Sequence, residues 1–201
     1  MLEKLDDIQW DKLWRTSGRP ATHIPRDIRR LLSRNKKERE KAEHSLSWGL
    51  ESLGQLGTAT PAAIPFLIEL LEHDETPDKH YILHMLYRCL IRSEATLEEL
   101  ENPRIQLEVE VGQLITKGLD VYFQHLTHPD WETRRAAILL LVEGNFPKSK
   151  RQKRKVIYET YKTQEQHPEI RQYFEDWDRF FASVDSSSGE RSDDEPSSST
   201  N

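Results

Sequence analysis

Ile24-Pro25-Arg26-Asp27-Ile28 and Ile64-Pro65-Phe66-Leu67-Ile68 stand about forty positions apart, with Leu31 and Leu71 in register behind them. His128-Pro129-Asp130 returns as His167-Pro168-Glu169 at nearly the same interval. Between these echoes the apolar residues keep a helical step. One face is marked by Ala42, Leu46, Gly49, Leu50 and Leu53, and the next by Ile64, Leu67, Ile68 and Leu71. Ile82, Met85, Leu86, Cys89 and Leu90 mark a third, Leu119, Tyr122, Phe123 and Leu126 a fourth. Ile170, Tyr173, Phe174, Trp177, Phe180 and Phe181 close the series. Each set fits the i, i+3, i+4, i+7 template of an amphipathic helix. One amphipathic pair cannot bury its own apolar face, so pairs that recur must stack on their neighbours. Strand alternation is nearly absent, which argues against an α/β enzyme fold.

Helix starts can be read from the same rows. Asn35 with Glu38 three residues on resembles a capping box. Thr60-Pro61 and Thr76-Pro77 each read as an N-cap followed by proline at N1. Asp130 is a further N-cap, and Gly54 and Gly57 punctuate a loop between helices. One stretch competes: Ile105, Leu107, Val109 and Val111 alternate as a strand would. Leu114 and Ile115 continue it at helical spacing, and a lone strand would lack a partner, so this stretch is expected to be helical.

Periods near forty belong to HEAT and armadillo arrays. The segment Gly57-Thr58-Ala59-Thr60-Pro61-Ala62-Ala63-Ile64-Pro65-Phe66-Leu67-Ile68-Glu69-Leu70-Leu71 resembles the first helix of bacterial HEAT-repeat proteins. His128-Pro129-Asp130-Trp131-Glu132-Thr133-Arg134-Arg135-Ala136-Ala137 is similar to the HEAT turn and second helix, with Thr133 where the pattern has Val. The resemblance covers roughly residues 20 to 145. It implies an all-α, right-handed α-α superhelix of about four helix pairs, with Asp130 and Arg134 as members of a structural repeat ladder. Similar proteins serve as scaffolds, regulators, immunity proteins and phycobilin lyases, and in one branch as DNA glycosylases.

Charge divides the chain. The formal net charge is −6, and most of it lies in the final segment, where Asp185, Glu190, Asp193, Asp194 and Glu195 meet only Arg191. With Ser, Gly and Pro around these acids and no apolar residue after Val184, residues 184–201 read as a disordered acidic tail. Residues 1–183 read as the helical repeat domain. Cys89 is the only cysteine, so no internal disulfide and no cysteine-based zinc site can form. The N-terminus is charged at once and carries no apolar signal-peptide core. The longest apolar run, Ala136 to Val142, is far too short to span a membrane. A cytoplasmic protein with no membrane partner is expected.

Candidate chemistry is sparse. His80 and His84 share a helix face, but Tyr81 stands where a zinc protease motif needs Glu. His73, Asp74 and Asp78 lie close by in sequence. His125, His128 and His167 flank turns, where histidine more often caps backbone than moves a proton. No phosphate loop or nucleophile elbow occurs, so catalytic, cofactor and metal residues are all expected to be none. The sharpest surface feature is a basic run, Lys148, Lys150, Arg151, Lys153, Arg154 and Lys155, suited to a polyanion. A second basic stretch holds Arg26, Arg29, Arg30, Arg34, Lys36, Lys37, Arg39 and Lys41. The expected function is a non-catalytic, HEAT-type protein-interaction scaffold or regulatory module. The alternative is a nucleic-acid-binding or DNA-glycosylase-like protein using a basic concave face. Trp10, Trp14 and Trp131 fit no core register and are candidate contact or end-packing residues.

Overall fold

The computed structural model describes residues 2–91, 102–143, 151–175 and 178, with the side chains of 143, 151–155, 157 and 158 left out. The chain forms two compact units, 1–158 and 159–201. In the first, two short 3-10 turns (Glu3–Asp7 and Trp10–Lys12) precede α1 (Ile24–Arg30) and α2 (Lys36–Leu50). A small hairpin of β1 (Glu51–Ser52) and β2 (Gln55–Leu56) leads into α3 (Thr60–Glu72) and α4 (Lys79–Leu90). Then come α5 (Pro103–Lys117), α6 (Leu119–Gln124) with a 3-10 turn His125–Thr127 and α7 (Trp131–Glu143), while α8 (Arg151–Gln164) has residues in both units. The all-α class holds. No described helix is long and apolar enough to cross a membrane. The second unit, described over 159–175 and 178, holds a helix at 168–175 that buries Ile170 and Phe174.

The periodic residues become the core. Ile24, Ile28, Leu31, Ile64, Leu67, Leu71, Ile82, Met85, Leu86, Cys89, Leu119, Tyr122 and Leu126 are all buried. α1 touches α2 and α3, α3 touches α4 and α6, and α6 touches α7. α2 touches α4, and α4 touches α7. α1, α3 and α6 thus touch in series, and so do α2, α4 and α7. α5 falls outside this alternation and packs on α3, α4 and α6. Its strand-like spelling yields to a helix because Asn102 caps it, Oδ1 accepting from the Arg104 amide at 2.9 Å, and Pro103 sets its first turn.

Ion pairs and polar contacts cross from helix to helix. Buried Asp27 on α1 accepts from Ser45 Oγ on α2 at 2.7 Å, flanked by Arg26 and Arg30. Arg39 on α2 reaches Asp78 before α4 at 2.7 Å and also donates to the Ser33 carbonyl. Arg88 on α4 donates twice to Glu51 Oε2 after α2, at 2.9 and 2.6 Å. At the C-terminal end of α3, the Lys79 ammonium and His125 Nε2 both donate to the Leu71 carbonyl, at 3.0 and 3.1 Å. Two donors on one last-turn carbonyl satisfy a group the helix leaves orphaned.

Several helix-start readings need correction. Asn35 does cap α2, but Glu38 bonds Ser33 Oγ, and Ser33 Oγ in turn takes the Asn35 amide, so the box closes through a serine. Thr60 is already helical and follows Ala59 as cap; its hydroxyl donates to the Leu50 carbonyl at 2.7 Å instead. Thr76 lies before the α4 start, which follows Asp78 at φ 46°, and its buried hydroxyl has no hydrogen-bond partner among the described residues. Gly54 is the second residue of a hairpin turn, at φ 78° after Leu53 at φ 52°. Leu53, read above as core, is 92% exposed at that tip.

Gly57 is fixed by close approach. A Cβ there would lie 2.7 Å from the Trp14 carbonyl oxygen, 2.9 Å from that of Gly49 and 3.0 Å from the Thr16 amide. All three are backbone atoms that cannot swing aside. The segment Trp14–Thr16 is laced to this point by Ala59 N to Trp14 O and Thr16 N to Gly49 O. G57A is expected to lower stability by about 2–3 kcal/mol, read by urea denaturation, with the strap at 14–16 displaced.

Candidate functional site

The histidines separate into distinct roles. His84 is lowered to about 4 by burial, then by Arg135 and His80. His125 is lowered to about 4 by burial, then by Lys79 and His128, against the Leu71 hydrogen bond. Neither is poised near pH 7 for proton transfer. Cys89 is buried, and desolvation pushes its thiol up to about 12, so it carries little thiolate.

His80 meets neither His84 nor His73 as a ligand partner but two carboxylates on the start of α7. Asp130 Oδ2 stands 4.0 Å from its Nδ1, and Glu132 Oε2 stands 3.9 Å from its Nε2. These three side chains have the residue types and closeness of a metal cluster. The carboxylates approach different ring nitrogens most closely, and at 4.0 and 3.9 Å both stand beyond hydrogen-bond reach. Asp130 Oδ2 is also engaged, accepting from Thr133 N at 2.9 Å and Thr133 Oγ1 at 2.6 Å. Burial raises the Asp130 carboxyl, but the Thr133 and Glu132 hydrogen bonds outweigh it and leave it lowered. Among the described residues the buried His80 Nδ1 has no hydrogen-bond partner.

Asp130 therefore caps α7. Arg134 Nη1 donates to the His128 and Pro129 carbonyls at 2.8 and 3.0 Å, holding the turn before the helix. Of the basic run, Lys148 and Lys150 lie outside the described residues, as do the side chains of Arg151, Lys153, Arg154 and Lys155. The acidic tail at 184–201 and Trp177, Phe180 and Phe181 also lie outside them.

The structure sorts the second basic stretch. Arg26 and Arg30 serve Asp27, Arg29 pairs with Asp6, Lys36 with Glu40 and Arg39 with Asp78. Among the described residues, Arg34, Lys37 and Lys41 are left exposed without a carboxylate partner.

Three large apolar side chains of this part of the chain stand exposed: Trp14 at 49%, Trp48 at 54% and, at the hairpin tip, Leu53 at 92%. Trp14 is held by its amide on Thr58 Oγ1 at 2.9 Å, and Thr16 Oγ1 donates to the Trp48 carbonyl at 2.7 Å. His44 packs edge-on to Trp48 with ring centroids 6.2 Å apart. Trp10 is instead buried, with its indole N–H donating to the Leu5 carbonyl at 2.8 Å, and Trp131 is half-buried. Sequence reading passed over Trp48, although its place opposite Ala42, Leu46 and Leu50 on α2 was legible from the helical period. An open depression lined by Ile8, Pro65 and Phe66 adds Glu3, Lys4 and Glu69, but no nucleophile–base pair.

The chain matches no protein-family model, no curated protein and no solved structure.

Proposed function

We propose that this chain is a non-catalytic protein-binding module of the HEAT type, working in a reducing cytoplasm, and that it makes contact through the exposed side chains of Trp14, Trp48 and Leu53. Stacked helix pairs in a right-handed superhelix would supply the rigid frame. The neighbour order α1–α3–α6 beside α2–α4–α7 supports that frame.

The observation that carries the function is the pair of exposed tryptophans fixed on rigid backbone. Tryptophan left half in water is costly surface, and it is the residue most enriched among binding hot spots. Leu53 adds a second signal. A γ-branched residue at φ 52° in a two-residue turn is strained where Asn, Asp or Gly would be relaxed. Function is a reason to keep leucine there.

The test is affinity capture from nuclease-treated and untreated lysates with wild type and a W14A/W48A double variant. A protein partner is expected to survive nuclease and to be lost from the double variant, whose melting curve stays intact. Recovery of nucleic acid alone, or a partner retained by the double variant, would overturn the proposal.

A further inference from the structure

The exposed side of α2 has a composition that the rest of the surface does not explain. At about 100° per residue, Lys37, Lys41, His44 and Trp48 fall within an arc of about 60° and run for about 16 Å along the helix. All four are exposed. The carboxylates of α2 lie beside this arc and not in it, each with a partner of its own. Glu38 bonds Ser33, Glu40 lies 4.0 Å from Lys36, and Glu43 accepts from Ser47 Oγ at 2.9 Å. Arg34, also exposed, precedes the cap at the same end as Lys37. The stripe is therefore cationic at its N-terminal end and aromatic at its C-terminal end, where Thr16 anchors the Trp48 carbonyl and brings in the Trp14 junction.

We infer that this stripe docks an acidic segment of a partner protein, one that sets carboxylates against Lys37 and Lys41 and an apolar side chain against Trp48. The inference rests on the binding reading above and names its partner's chemistry. Charge complementarity selects the sign of the partner. The narrowness of the stripe selects its class. A single nucleic-acid strand is held by a track of cations with successive aromatic platforms. Here two lysines and one indole stand between flanking carboxylates that repel a continuous polyanion. A peptide carries its charges singly, so it can place them at helical or extended spacing on the two ammonium groups and keep clear of Glu38, Glu40 and Glu43. His44, edge-on to Trp48, supports the indole.

The test uses fluorescence anisotropy with three labelled probes. They are a sixteen-residue peptide with Glu at i, i+4 positions and one Leu in its last turn, the same peptide with Gln for Glu, and a fifteen-nucleotide oligothymidine. The acidic peptide is expected to bind, and its Kd to rise at least tenfold for K37E/K41E and for W48A, both with unchanged melting. The Gln peptide and the oligonucleotide are expected to bind at least tenfold more weakly. Binding of the acidic peptide that is absent, or insensitive to K37E/K41E, overturns the inference. So does tighter binding of the oligonucleotide that is lost in K37E/K41E, which would assign the stripe to nucleic acid. A partner captured through Trp14 and Trp48 but retained by K37E/K41E would overturn the acidic-segment inference alone. Loss of that capture result would remove the binding reading itself.

Discussion

An L86D variant is expected to show no cooperative thermal unfolding and no protease-resistant core. Leu86 is fully buried on α4, the helix that touches α2, α3, α5, α7 and β1. Removing a leucine of this kind costs about 2–5 kcal/mol through lost burial and the cavity left behind. A carboxylate in its place adds several kcal/mol for an ion with no partner. Together these exceed the lower part of the about 5–15 kcal/mol that holds a domain. The control is L53D at the hairpin tip. Its side chain is 92% exposed and its backbone sits at φ 52°, which Asp tolerates better than Leu. L53D should stay within about 0.5 kcal/mol of wild type. Circular dichroism and limited proteolysis of the two variants give the comparison. Wild-type melting in L86D would show that α4 is not the centre of the packing.

Stability is expected to fall as pH drops from 6.5 toward 4, beginning above the range in which most carboxylates titrate. His84 and His125 are both lowered to about 4 in the folded chain by burial, against an ordinary 6.5. In that window the unfolded chain binds protons that the folded chain refuses, so acid favours unfolding. Two such groups give at most about 2.7 kcal/mol per pH unit. Screening on the open side of each pocket brings the expected slope to about 1–2 kcal/mol per pH unit. Urea denaturation at pH 7, 6, 5 and 4.5 reads it. An H84Q/H125Q variant should have a flatter profile over the same range, since Gln at 125 can still donate to the Leu71 carbonyl. Wild-type stability constant down to pH 5 would contradict the burial of these imidazoles.

Much of the helical order could be read in advance because burial follows period. Ile24, Ile64, Leu71, Leu86 and Tyr122 took their places from spacing alone, and Asn35 and Asp130 announced their caps. What failed was local. Thr60 and Thr76 have the residue type of caps, but tertiary contacts decide where a hydroxyl points, and Thr60 turned to the Leu50 carbonyl. Leu53 continued the α2 period on paper, yet the chain leaves the helix at Glu51, and the positive φ angles of Leu53 and Gly54 close a hairpin. His80 beside Asp130 and Glu132 joins residues some fifty positions apart, a pairing that only α4 packing on α7 creates. The basic stretch at 26–41 gave its net character but not its division. Partners as distant as Asp6 and Asp78 determine which cations remain free.

The most direct test of the binding face is site-specific photo-crosslinking in lysate of the producing organism. A photoreactive phenylalanine analogue replaces Trp48 in one sample and exposed Glu110 on α5 in another. A discrete protein adduct at position 48, absent at position 110 and unaffected by nuclease, is the predicted result. An adduct at 110 alone, or none at 48, would contradict a function exercised through the Trp14–Trp48 junction.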